Sequence, residues 1–174
     1  MHLSELILPE LDLESRYTRR HLERVPMDKL DFKPHEKSMT LGWLATFIAV
    51  LPTWGTMTIS QDYVDVTSPA AQPERKLART QQELVRMFDS NLANARAAVV
   101  AASDEQLRKP WSLRAAKQTI FTQPRYLVFR TFFLNHLIHH RAQLGVFLRL
   151  NGVAVPAVYN DSADEHGGMF IDQS

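Results

Sequence analysis

The 174-residue chain contains no cysteine, which excludes disulfides, a thiolate nucleophile and any Cys-ligated zinc. It has no run of 18 apolar residues, so no membrane span is expected. Charge of one sign is also missing: 20 basic residues face 19 acidic ones, and no basic cluster exceeds three in a row. A surface built to neutralise phosphates is therefore not expected, and nucleic acid is excluded as a partner. Residues 1–9 are too short and too acidic for a signal peptide, so the expected location is cytoplasmic. There is no internal repeat and no low-complexity tract.

The material for a core is present. Hydrophobic residues make up 45% of the chain, with nine Phe, four Tyr and three Trp. A chain of this length buries roughly 70% of the surface exposed when unfolded, which is enough for one domain over residues 1–174.

Helical periodicity marks four segments, at about 8–25, 40–61, 73–102 and 124–151. In the first, Pro9 belongs to a first turn, and polar residues including Glu14 dominate, which places the helix on the surface. In the second, Trp43, Leu44, Phe47, Leu51 and Trp54 recur at three- and four-residue steps, and Pro52 should kink it. Pro73 suits the start of the third. Residues near 112–113 and 119–121 read as a short β-hairpin before the last helix. Asn151-Gly152 is a good stop for the fourth, and 152–174 form an extended tail. The expected fold class is all-α, a four-helix bundle with that hairpin appended.

Bundles build their sites from inward-facing side chains, so the fourth helix draws attention. His136 and His140 stand at i and i+4, about 40° apart on one face, within a stripe containing Phe129, Phe133 and Phe147. Two imidazoles at this spacing can chelate one ion. They can equally be core histidines satisfied by hydrogen bonds. Leu137 occupies the position where a metalloprotease motif has glutamate, which removes that reading. His139 falls on a flank as a structural or supporting residue, and Gln143 lies near the same line. His2, His21, His35 and His166 sit in polar surroundings and read as solvated. Arg141 and Arg149 are expected on the outer face. The aromatic residues read mainly as core, with the walls of an apolar ligand pocket as the alternative.

Two blocks resemble the DinB-like (DinB/YfiT) family. One is Ser38-Met39-Thr40-Leu41-Gly42-Trp43-Leu44-Ala45. The other runs from Phe133 through Asn135-His136-Leu137-Ile138-His139-His140-Arg141 to Leu144, then Leu148 to Val153 and Val155 to Tyr159. The resemblance covers nearly the whole chain. It implies a four-helix bundle, often a homodimer, holding a divalent ion such as nickel or zinc. It also implies a metal-dependent transferase acting with a small thiol, or a hydrolase.

In that family three histidines hold the ion, two from the fourth helix and one from the second. The fourth-helix pair maps onto His136 and His140. The second-helix ligand belongs in a Leu-Ala-x-His-Ile-Ala stretch, and here the residues are Leu44-Ala45-Thr46-Phe47-Ile48-Ala49. Phe47 has no donor atom, so the site is incomplete unless Asp62, His21 or His35 reaches in. The alternative is a degenerate, metal-free member that binds a small ligand or serves as a stress-related dimer.

Overall fold

The computed structural model describes residues 2–69 and 76–167. Helix α1 spans Leu3–Leu22. A 3-10 turn at Met27–Lys29 then leads to α2, Leu41–Val50, and α3, Pro52–Ser60. Strand β1, Tyr63–Asp65, precedes α4, Gln81–Ala101, and the short α5, Asp104–Arg108. Strands β2, Pro110–Ala115, and β3, Gln118–Pro124, lead into the last helical segment. That segment comprises α6, Arg125–Val128, a π-helical turn at Phe129–Leu134, and α7, Asn135–Leu150.

The molecule is mostly helical, but it is not purely α. The expected hairpin is real, with β2 and β3 pairing antiparallel. Strand β1 pairs parallel with the other edge of β2, giving a three-stranded sheet in the order β1-β2-β3. Nothing local in Tyr63–Asp65 marks it as a strand. Its partner lies some fifty residues away, and three residues carry too little pattern to stand out.

Helix ends follow the side chains. Thr40, Thr80 and Ser103 cap α2, α4 and α5 by accepting from the N–H three residues on, at 3.1 Å each. Each such cap contributes about 1 kcal/mol. The second helix breaks at Leu51 because Pro52 has no N–H to offer the preceding turn, and Pro52 instead starts α3. Pro9 lies inside α1 rather than in its first turn, because the helix begins at Leu3. The expected start of the third helix at Pro73 lies outside the described residues. At the C-terminus of α7, Gly152 adopts φ +71°, the left-handed geometry that ends helices.

One apolar cluster fills the space between α1, α2, α4 and α7, with Leu11, Leu44, Ile48, Leu84, Phe88, Phe133 and Leu137 almost fully buried. A smaller cluster around Trp111, Val64 and Val128 ties the sheet to the bundle. By length and composition Leu41–Ser60 would pass for a membrane span, yet most of it is buried as the core of this packing. Gly55 permits the closest approach. An added Cβ there would sit 2.9 Å from the Phe133 ring and 3.1 Å from that of Phe129.

Three surface expectations fail. Glu14, His21 and Arg141 are buried, with 3–4% relative exposure. Arg141 donates to Glu14 Oε2 at 2.6 Å and to the Tyr159 hydroxyl at 2.9 Å. The same hydroxyl donates to Glu14 Oε1 at 2.8 Å. This closed triangle pins the C-terminal segment between α1 and α7. Arg20 and Arg24 both pair with Glu165, and Arg149 pairs with Asp164, so the acidic run 160–165 acts as a clasp.

Candidate functional site

The π-helical turn immediately before α7 holds one extra residue per turn, which rotates the downstream half of the helix relative to α6. His136 and His140 emerge from that downstream half toward α2. Their Nε2 atoms lie 2.8 Å apart. His140 Nδ1 donates to Gln143 Oε1, so His140 Nε2 accepts the proton carried on His136 Nε2, and the two neutral rings behave as a unit.

The other ring nitrogen of His140 is also engaged. His140 Nδ1 lies 2.7 Å from Gln143 Oε1, and Gln143 Nε2 lies 3.1 Å from His139 Nε2. A chain of contacts therefore runs from exposed His139 through Gln143 and His140 to His136.

Burial dominates the electrostatics. It pushes the His136 imidazole down to about 4, helped by the neighbouring His140 and His139 and opposed by the Phe132 carbonyl. Burial also lowers His140, opposed by the Gln143 hydrogen bond. Both rings are neutral near pH 7, so together they offer a hydrogen-bonding and proton-accepting group rather than a charge.

Aromatic rings enclose the pair. Phe47 meets His140 and His136 edge-on, at centroid distances of 4.9 and 5.5 Å, and stacks on Trp43 at 4.8 Å. Phe132 stands 6.1 Å from His136 on the other side and contacts Trp54 at 5.3 Å. On the Phe132 side of the pair opens a cavity of about 520 Å³ lined by Thr131, Phe132, Asn135, His136, His139 and His140. A cavity of similar size beside β1 has its two carboxylates already committed, Asp62 to Arg125 and Asp65 to Thr67 and Ala116.

The spacing of His136 and His140 was legible in the sequence, and the structure brings both rings together. None of the three substitute donors arrives. Asp62 pairs with Arg125 at 2.5 Å. His21 is buried against the opposite face of α7, next to Gly145. His35 sits exposed in its loop, where Nδ1 accepts from Lys37 N. Sequence reading missed the π turn at Phe129–Leu134, which has no local signature.

The family model described as the DinB family matches residues 5–167 of this chain. The chain belongs to the DinB family. Solved DinB-like proteins share its fold at low sequence identity. One from Bacillus subtilis is 19% identical with a TM-score of 0.66, covering 87% of this chain and 96% of its own. Another, from Bacillus cereus, is 21% identical with a TM-score of 0.64, covering 87% and 95% respectively. No functionally curated protein matches the chain.

A divalent ion is what DinB resemblance implies for this site, and the donor set fits it poorly. With Zn–N bonds of about 2.0–2.1 Å, tetrahedral zinc holds its nitrogens roughly 3.3 Å apart, further than these two rings stand. Octahedral nickel tolerates nitrogens about 3 Å apart but demands four further donors. Among the described residues no group of three His, Asp or Glu is placed to hold an ion.

Proposed function

We propose that this DinB-family chain binds a small molecule at the His136–His140 pair without a resident metal. The neutral imidazoles anchor a polar group of the ligand, and the Phe132 ring takes its apolar part. The observation that carries this reading is Phe47, whose ring lies edge-on to both imidazoles where the third ligand of a metal centre belongs. A ring without a donor atom, packed on Trp43, leaves the pair to hydrogen-bond with itself and with whatever enters the cavity.

A specific observation favours a second reading, a metal-dependent transferase or hydrolase. His140 has its remaining ring nitrogen held by an oxygen, as metal-ligating histidines usually do. On that reading the ion would be held by His136 and His140 and would supply Lewis-acid chemistry, with the missing donors coming from solvent or ligand.

Elemental analysis of tag-free protein, incubated with excess nickel or zinc and then gel-filtered, separates the two. The expected content is below about 0.1 ion per chain, since two imidazoles alone hold an ion weakly. Stoichiometric metal that disappears in His136→Ala would overturn the metal-free reading.

A further inference from the structure

We propose a second ligand site on the far side of α7, where buried His21 presents one ring nitrogen to a cavity of about 390 Å³ between α1, α7 and the C-terminal segment. Its ligand class is a small, uncharged, mainly apolar molecule carrying one hydrogen-bond donor, such as an alkylphenol.

The geometry starts from the His21 ring. Its Nδ1 lies 2.8 Å from the Tyr17 carbonyl, to which it donates. In a neutral imidazole the other nitrogen, Nε2, is then an acceptor. It has no hydrogen-bond partner among the described residues, and it faces the cavity, where a ligand's donor can reach it. Burial, reinforced by the cations of Arg141, Arg20 and Arg24, pushes this imidazole down to about 4, so the acceptor persists at neutral pH.

Gly145 opens the way to that nitrogen. It stands inside α7, where glycine is less favourable than alanine. Packing does not demand it. An added Cβ would meet Val155 Cγ1 at 3.5 Å and His21 Nε2 at 3.6 Å, both ordinary contacts. What alanine would do is cover Nε2. A local preference broken without a packing reason points to a use for the opening.

The walls select the ligand. Ile138, Ala142, Val146, Val155 and Val158 supply apolar surface. The guanidinium groups at the rim are committed, Arg141 to Glu14 and Tyr159, and Arg149 to Asp164. Among the described lining residues no free charge remains to hold an anion, while Nε2 offers an acceptor to a donor.

The experiment titrates 4-propylphenol and propylbenzene into the full chain. Calorimetry reads affinity, and long-range nitrogen–proton NMR reads the histidine rings. Saturable phenol binding that moves the His21 Nε2 resonance is expected, with propylbenzene at least about tenfold weaker. Gly145→Ala should fold with an equal or higher melting temperature and weaken phenol binding at least about tenfold. The proposal is overturned by phenol binding that does not saturate, by equal affinity for propylbenzene, by full binding in Gly145→Ala, or by shifts at His136 and His140 alone.

Discussion

Phe47 and His140 pack edge to face, with ring centroids 4.9 Å apart and planes at 84°. The contact joins α2 to α7 at the position where the DinB resemblance implies a histidine from α2. It holds the His140 ring from the α2 side with a residue that has no donor atom.

Phe47→His should restore a three-imidazole donor set. Its expected effect is a gain of at least about 100-fold in nickel or zinc affinity over wild type. Calorimetric titration with each ion checks it, and an unchanged affinity would show that the α2 position does not address the pair.

Acid should loosen the fold through its histidines. His21 and His136 titrate near 4 in the folded protein, and His140 is also lowered, whereas an unfolded histidine titrates near 6.5. The unfolded chain therefore binds protons first. Stability is full above about pH 6.5 and declines as pH falls from there through about 4. His21 alone accounts for a loss of about 2–3 kcal/mol at pH 4.5. Urea unfolding at pH 7 and pH 4.5 measures this, and His21→Leu should flatten part of the difference.

The buried Glu14–Arg141–Tyr159 triangle should show strong non-additivity. Glu14→Ala leaves an unpaired guanidinium in the core and should cost about 3–5 kcal/mol. The double change Glu14→Leu with Arg141→Met removes both charges and should cost markedly less. Tyr159→Phe should cost about 1 kcal/mol, the net worth of the lost hydroxyl contacts. Denaturant midpoints of the three variants decide it.

Arg125 closes the end of α3. Its guanidinium donates to the Thr58 carbonyl at 2.8 Å and to the Gln61 carbonyl, and pairs with Asp62 at 2.5 Å. Arg125→Met keeps much of the apolar stem but leaves those carbonyls without a donor. A loss of about 2–3 kcal/mol is expected, with early hydrogen exchange in α3 and β1.

Much of this protein is written in local pattern. The apolar steps in 41–60 and 124–151, the break at Pro52 and the stop at Gly152 all express short-range rules of helix geometry, and they survive in the fold. The i, i+4 spacing of His136 and His140 belongs to the same class, because a helix fixes the angle between such residues wherever it packs. The absence of a donor at Phe47 also needs no structure to be noticed.

Other features depend on which surfaces meet. Arg141 looks like an outward residue until Glu14 and Tyr159, 127 and 18 positions away, converge on it. His21 looks solvated until α7 covers it and leaves one nitrogen facing a cavity. Strand β1 exists because β2 offers an edge, and the 2.8 Å contact of the imidazoles depends on a π turn upstream and an aromatic wall across the groove. Helical periodicity is a property of neighbouring residues and can be read along the chain. Burial of a charge, the proton shared by two rings and the opening beside Gly145 are properties of distant segments in contact, and only packing decides them.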